Sequence, residues 1–325
     1  MAIDLSVIIV NWNTRDLLGQ CLSSLVQRSN EVQIEIIVVD NGSDDGSGDY
    51  VAASFPHVRL IRNRDNRGFA VANNQGMIAA TGRNILFLNS DTVVNQGALK
   101  AMVEFLDSTL DAGACSCRLS GEDGKLQRNV RRFPTFSAML YRYTVLKYFG
   151  LFKSARAAYR TRDFSYDEVA TVDEVTGAVL AVKRSVLERV GGMDENLKLY
   201  FEETDLCRRM QQVAVKTYFI PQGVVTHLGG GSCRRLPSYR IEAMFFKSLF
   251  YYFRKHEGRG RTFLFSCVFK PGLYLYMLCE TLLNLGSAGL SRLLRLGNGR
   301  VLRQYERSRH AFLFLVKCGF GVLFY

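Results

Sequence analysis

Short apolar runs alternate with helical periods over the first hundred residues. LSVIIV at 5–10 is β-branched and uninterrupted, and Asn11 and Asn13 bound it, as expected for a strand buried on both faces. Over 14–28, Leu17, Leu18, Cys21, Leu22 and Leu25 recur on one helical face, with Thr14 or Asn13 as the N-cap. IEIIVVD (34–40) predicts a second strand, halted by NGSDDGS. VRLIRN (58–63) predicts a third and NILFLNSD (84–91) a fourth, with helices over 69–81 and 97–109 on either side of the last. Strands joined by helical crossovers predict an α/β fold with a mostly parallel sheet. Residues 119–172, rich in Arg, Tyr and Phe, have no clean period. A second patterned block follows, with AVLAVK as a strand, SVLERV as a short helix and 202–213 as a longer one. After about 239 aromatic and basic residues interleave.

Composition narrows the class. The 325 residues are 48% hydrophobic and 22% charged, with a mean hydropathy of 0.00. That excludes a disordered chain and a polytopic membrane protein. The net charge of +12 is unevenly placed. Residues 1–135 carry 13 basic and 15 acidic side chains, residues 136–238 carry 15 and 11, and residues 239–325 carry 14 and 4. A basic C-terminal end suits nucleic acid, an acidic substrate or an anionic membrane surface. The eight cysteines are scattered and read mostly as buried small hydrophobes in a reducing compartment. Asp4 stands where a signal peptide needs positive charge, so secretion is not expected.

In an open α/β sheet, ligands bind beyond the carboxyl ends of the strands. The polar residues there are Asn11 and Asn13 after the first strand, Asp40 after the second, and Asn89 and Asp91 after the fourth. No G-x-G-x-x-G follows the first strand and there is no P-loop, which disfavours dinucleotide enzymes and NTPases of those kinds.

The succession VIIVNWN, VVDNGSDDGS, NRGFAVANNQG, FLNSD, VGGMDE, FEETDLCRR and THLGGGS resembles the family 2 glycosyltransferases of the GT-A fold, most of all their rhamnosyltransferase-type branch. The resemblance covers residues 4–235. It implies a GT-A domain over 1–238, with a nucleotide-binding half at 1–118 and an acceptor-side half at 119–238. It further implies inverting transfer of a sugar from a nucleotide-diphosphate donor, with Mg²⁺ or Mn²⁺. Asn89-Ser90-Asp91 stands where the family has Asp-x-Asp, so Asp91 is the implied metal ligand, with one negative charge fewer beside it. His227 resembles the histidine that completes that site, and Gly229–Gly231 offer backbone N–H groups to phosphate. Asp40 resembles the carboxylate that accepts from a pyrimidine N3–H, with Asn11 and Asn13 lining the same pocket. Arg64, Asn66 and Arg67 form a loop suited to ribose or diphosphate, and Arg234 and Arg235 are implied diphosphate clamps. Trp12 reads as a packing residue rather than a base platform. Glu203, in Glu202-Glu203, maps to the general base that deprotonates the acceptor hydroxyl. Arg208 and Arg209 leave a helical salt-bridge reading open, and Asp205 reads as structural. Gly177, Gly192, Asp194 and Glu202 fall on the acceptor side.

The tail over 239–325 reads as a separate helical region. GLYLYMLCETLLNLGSAGL (272–290) and AFLFLVKCGFGVLFY (311–325) are separated by arginines. They look like amphipathic helices on an anionic membrane surface, with packing in an all-helical domain or a homo-oligomer as the alternative. The expectation is a cytoplasmic enzyme, peripheral on the inner face of the cell membrane, with a glycan or lipid-linked acceptor and dTDP-rhamnose as donor. The competing reading is a non-catalytic nucleotide- or carbohydrate-binding relative, to which Asn89 and Glu203 would also be suited. Nucleic-acid binding lacks any recognisable module.

Overall fold

The computed structural model describes residues 2–229 and 237–293, with Ser238 and 284–293 by backbone alone. The chain divides into two compact units. One holds Met1–Phe133 and Thr161–Arg235, the other Pro134–Arg160 and Leu236–Tyr325.

The first unit opens with β1 (Leu5–Asn11), α1 (Arg15–Gln27), β2 (Ile34–Asn41), α2 (Ser47–Ser54), β3 (Arg59–Asn63), α3 (Phe69–Ala79) and β4 (Asn84–Asn89). β1 lies parallel to both β2 and β4, and β2 lies parallel to β3. The chain thus runs outward from β1 to β3, then returns to the other side of β1. That reversal opens a crevice beyond the carboxyl ends of β1 and β4. The chain continues through β5 (Thr92–Val94), α4 (Ala98–Ser108), β6 (Ala112–Ser120), β7 (Leu126–Gln127) and β8 (Val130–Arg131). The second unit supplies α5 (Phe136–Tyr143) and α6 (Lys153–Tyr159). The first resumes with β9 (Ala170–Val172), β10 (Glu174–Val175), β11 (Val179–Lys183), α7 (Arg184–Val190), α8 (Glu202–Gln212) and β12 (Lys216–His227). The sheet order is β3-β2-β1-β4-β11-β6-β12-β5, with β7 on β6 and β9 on β12, while β8 and β10 pair separately. β11 runs antiparallel to both β4 and β6, so the mostly parallel sheet has an antiparallel insert.

The central strands are apolar throughout because both faces are covered. Leu5, Val7 and Ile9 of β1 pack with Leu18, Leu22 and Leu25 of α1 and with Leu99 and Met102 of α4. Ile8 faces the other way, into a layer with Ala70 of α3, Leu187 of α7 and Leu206 and Met210 of α8. Alternating side chains on one strand thus feed two cores.

Three local readings change. α2 forms within and after the polar run expected to be only a strand stop. β6, AGACSCRLS, has small side chains that carry little strand signal. Thr14 precedes α1 but does not cap it with its hydroxyl, which bonds to Asn11 instead. Cys21, Cys115, Cys117 and Cys207 are buried as expected, whereas Cys267 is exposed; Cys233 and Cys318 lie outside the described residues.

The second unit adds a 3-10 helix (Val145–Phe149), α9 (Ser238–His256) and α10 (Arg259–Leu293). Its core is aromatic, with Phe136 stacked on Phe265 at 4.7 Å between centroids and Phe246, Phe253 and Phe269 fully enclosed. The C-terminal helices therefore group with Pro134–Arg160, a segment whose sequence has no readable period.

Candidate active site

The crevice at the end of β1 is built by short polar side chains that hold one another. Asn11 is fully buried and donates through Nδ2 to Asp40 Oδ1 at 3.0 Å and to Ser43 Oγ at 3.1 Å. Its Oδ1 accepts from Thr14 Oγ1 at 2.6 Å, and Thr14 also contacts Ser90 Oγ at 2.9 Å. Asn13 takes a left-handed conformation (φ 56°), which asparagine tolerates. Its side chain accepts from the Asp44 N–H, and its own N–H donates to Ser43. Sheet register sets Asn11 beside Asp40 and Val10 beside Asn89, so the ends of three strands meet. Gly48 leaves space where Asp40 Oδ2 and the Arg62 guanidinium converge, since a Cβ there would stand 3.3 Å from each. Ser43 and Arg62 had no sequence signal of their own.

The loop after β3 is fixed by a residue that sequence reasoning missed. Asn41 donates to Asn66 Oδ1 at 3.0 Å and accepts from the Arg67 N–H and from Asn63 Nδ2, each at 3.0 Å. Arg64, Asn66 and Arg67 are exposed on that loop. Gly42 has φ +77°, and an added Cβ would lie 2.7 Å from the Asp65 backbone. Gly42→Ala is therefore expected to destabilise the protein by at least about 2 kcal/mol. Its melting temperature should fall and its nucleotide affinity weaken together in a thermal-shift titration. A melting temperature within a degree of the native one would contradict this.

β4 ends at Asn89. Its N–H donates to Ala178 O at 3.0 Å, and its carbonyl accepts from Thr92 Oγ1 at 2.7 Å. The turn through Ser90 and Asp91 follows, and β5 pairs with β12 so that His227 lies opposite Thr92. His227 Nε2 stands 3.3 Å from Asp91 Oδ1. The imidazole is oriented by Gln127, whose Nε2 donates to the His227 carbonyl at 2.7 Å while its Oε1 faces Nδ1 at 3.0 Å. With the amide so oriented, Nδ1 carries the proton and Nε2 turns a lone pair toward the carboxylate. Two lone-pair donors facing each other suit a cation between them. Cis ligands about 2.1 Å from an octahedral ion stand about 3 Å apart. Among the described residues no group of three or more His, Cys, Asp or Glu that could hold a metal ion converges. Hard Mg²⁺ or Mn²⁺ accepts such a site when phosphate and water complete the shell. Gly229 has φ +77°; Gly230, Gly231, Arg234 and Arg235 lie outside the described residues.

α8 begins at Glu202 immediately after Tyr200 and Phe201, both left-handed (φ 69° and 72°). Two consecutive strained aromatic residues cost about 1–3 kcal/mol each and turn the chain sharply into the helix. Adjacent helical residues point in different directions, and here Glu202 is buried while Glu203 is half-buried. Glu203 Oε1 accepts from the Gly177 N–H at 3.3 Å. An added Cβ at Gly177 would meet Glu203 only at ordinary contact distances, so this residue's contribution is its N–H. Gly177 precedes Ala178, which bonds to Asn89, so β11 links Glu203 to the turn bearing Asp91. Burial raises both glutamate pKa values, and the neighbouring charge of Glu203 adds to the rise at Glu202, which goes well above the usual range. At Glu203 the helix N–H, Arg131 and the Gly177 N–H oppose the rise. In the pair, Glu202 keeps the proton and Glu203 ionises. Arg209 bonds to Asp205, not to Glu203, which disposes of that arm of the salt-bridge reading.

A third carboxyl, Glu174, was not foreseen. It is buried on β10 opposite Arg131, and burial pushes its pKa up to about 8 against an ordinary 4.5. The neutral form fits the folded state, so the stability it lends is complete below about pH 4.5 and is lost as pH rises toward 8. Glu174→Gln should flatten that decline, by an amount on the order of a few kcal/mol at pH 8. Melting temperatures from pH 5 to 9 test this, and parallel curves for the two proteins would refute it.

The other residues expected on the acceptor side brace loops. Asn74 on α3 accepts from the Met193 N–H at 2.9 Å and donates to Met193 O at 2.8 Å. Its Oδ1 lies 2.4 Å from where a Cβ on Gly192 would sit. Asp194 accepts from the Asn196 N–H and side chain. Fully buried Asp205 holds Arg209 at 2.7 Å, and Arg209 in turn donates to the carbonyls of Val190, Gly191 and Gly192. The structural reading of Asp205 thus has a concrete form.

A family model described as glycosyl transferase family 2 matches residues 6–169. The chain is 26% identical over 271 residues to the N-acetylglucosaminyl-diphospho-decaprenol L-rhamnosyltransferase of Mycobacterium tuberculosis, covering 79% of this chain and 86% of that protein. It is 27% identical over 190 residues to rhamnosyltransferase WbbL of Escherichia coli, covering 58% and 68% respectively. Among solved structures it is similar to the mannosyltransferase PcManGT from Pyrobaculum calidifontis in complex with GDP-Man and Mn²⁺. The TM-score is 0.54 and the identity 17%, over 97% of this chain and 88% of that one. At 18% identity GalNAc-T7 with UDP, GalNAc and Mn²⁺ matches with a TM-score of 0.51, over 70% of this chain and 44% of that one. At these identities the two structural likenesses establish the fold.

Proposed function

The chain belongs to glycosyl transferase family 2 and has the GT-A fold, and from that premise we propose that it is an inverting, metal-dependent transferase that moves rhamnose from dTDP-rhamnose to a lipid-linked glycan acceptor. The observation that carries the reading is the Asp91–His227 pair just beyond β4, together with Glu203, which accepts from Gly177 N–H while the next residue, Ala178, accepts from Asn89 N–H. The choice of sugar and acceptor is supported by the relatives named rhamnosyltransferase.

Asp40, with Oδ1 engaged by Asn11, offers its remaining lone pairs to the N3–H of the pyrimidine. Thymine and uracil share that donor, so Asp40 selects pyrimidine and not which one. Asn13, Arg64, Asn66, Asn89 and Arg234 are assigned to the nucleotide and its diphosphate. Asp91 and His227 would hold Mg²⁺ or Mn²⁺. When bound, the ion neutralises charge on the departing diphosphate. Glu203 accepts the proton of the acceptor hydroxyl as that oxygen attacks the anomeric carbon opposite the leaving group, which inverts the centre. Gly177 N–H holds the Glu203 carboxylate in place, and Gly192, Asp194 and Glu202 shape the acceptor side. The basic tail suits work at the cytoplasmic face of an anionic membrane.

Incubation with a nucleotide-sugar panel and a polyprenyl-diphosphate-linked acceptor, with Mn²⁺ or chelator, tests the proposal. dTDP-rhamnose should give the strongest metal-dependent transfer. Stronger transfer from a UDP- or GDP-sugar would replace the donor. Binding without turnover from any donor would favour the non-catalytic relative.

A further inference from the structure

α10 keeps an apolar exposed face while its mid-helix charges turn toward the protein. Of its side chains from Phe263 to Leu283, every exposed one is apolar or cysteine. Leu264, Val268, Pro271, Leu275, Leu278 and Leu282 follow one another at alternating spacings of four and three. The leucines and the valine among them are 48–67% exposed. The charged residues of this stretch turn the other way. Lys270 is buried over the Phe250 ring, and Glu280 accepts from Tyr148 Oη at 2.9 Å with Lys147 4.0 Å away. Arg259–Leu283 includes a window of mean hydropathy 1.4, long and apolar enough to cross a membrane. Yet one face of the helix is occupied by protein, since Phe265, Phe269, Leu273 and Met277 are buried within the unit. A single free apolar face suits a helix lying in the plane of a bilayer interface.

A second apolar patch adjoins it. At the end of the 3-10 helix and in the turn leading to α6, Tyr148, Phe149, Leu151 and Phe152 are all exposed, Phe149 at 74%. The Tyr148–Glu280 hydrogen bond and Lys147, 3.8 Å from the centroid of the Tyr276 ring, tie this loop to α10. Exposed Lys153 and Arg160 flank the loop, and exposed Arg254, Lys255, Arg259 and Arg261 collar the start of α10.

We propose that the Tyr148–Phe152 loop and the outer face of α10 form one composite surface that embeds in the interface of an anionic lipid bilayer. Charge selects this occupant over a second copy of the chain. The basic collar attracts anionic headgroups and repels its own like, and residues 239–325 carry 14 basic against 4 acidic side chains. The proposal rests on the membrane reading above and adds a mid-chain element to it.

The test is co-sedimentation of the full-length protein with vesicles of phosphatidylcholine alone or mixed with phosphatidylglycerol. The native chain should bind the anionic vesicles at least about ten-fold more tightly. Phe149→Glu with Leu151→Glu, and separately Leu275→Glu with Leu278→Glu, should each weaken that binding about ten-fold or more. An unchanged nucleotide thermal shift shows that each variant is folded. Arg259→Gln with Arg261→Gln should reduce the preference for anionic vesicles without touching the apolar face. If the loop variant binds like the native chain, the composite surface is wrong while the membrane reading stands. If the native chain ignores both vesicles, both fail. A native dimer on light scattering, dispersed by the glutamate variants and indifferent to vesicles, would assign the face to a second copy and overturn the proposal.

Discussion

Glu203→Gln is expected to lower kcat about 10²- to 10⁴-fold while leaving donor affinity unchanged. The amide keeps the size of the side chain and still accepts from Gly177 N–H, but it cannot take a proton. Isothermal titration with donor nucleotide should therefore match the native protein while transfer fails. Near-native turnover would remove Glu203 from the role of base. The pH profile gives a second reading. Burial raises the Glu203 pKa above 4.5, and the base works only when ionised. Activity should fall with decreasing pH at a point above the ordinary glutamate range. Glu202 holds its proton while Glu203 ionises, so Glu202→Gln, which stays neutral, should leave that acid limb in place and retain turnover. If Glu202→Gln abolishes transfer instead, the two roles are reversed.

Asp91→Asn should be nearly as damaging, with Mn²⁺ affinity down about 100-fold or more and kcat down by two to four decades, a loss of several kcal/mol. The carboxylate is the only negatively charged member of the pair, and Asn89 beside it is neutral. Gln127→Ala should be milder, about 10- to 100-fold in metal affinity, because Gln127 only orients the imidazole. Mn²⁺ binding followed by electron paramagnetic resonance separates these effects from turnover. Full activity of Asp91→Asn in the presence of chelator would overturn the metal assignment.

Much of the first half of the fold was legible. β1, β2, β4, α1 and α4 have strong apolar patterns because each is covered by a continuous core, and burial imposes the pattern directly. α2 and β6 were not legible, since polar turn residues and small side chains carry little periodic signal. Within the site, Asn11, Asp40 and Asp91 could be found because a strand end announces itself. Asn41, Gln127, Glu174 and Asn74 could not. Each acts by holding another residue far along the chain, and nothing in its own neighbourhood marks it.

The sequence by itself determined the layering of the sheet unit and offered the candidate acids and histidine, since hydrophobic period and residue chemistry are local properties. It also placed the charge in the tail. Only the tertiary structure decided which side chains meet. Gln127 reaches His227 across 100 residues because β7 and β12 both lie beside β6, and Glu203 reaches the end of β4 only because β11 runs antiparallel beside that strand. It likewise turned Lys270 and Glu280 of α10 toward the unit and Leu264, Leu275, Leu278 and Leu282 outward. That arrangement depends on the aromatic residues of α5 and α9 occupying the other side, and no single-helix pattern records it.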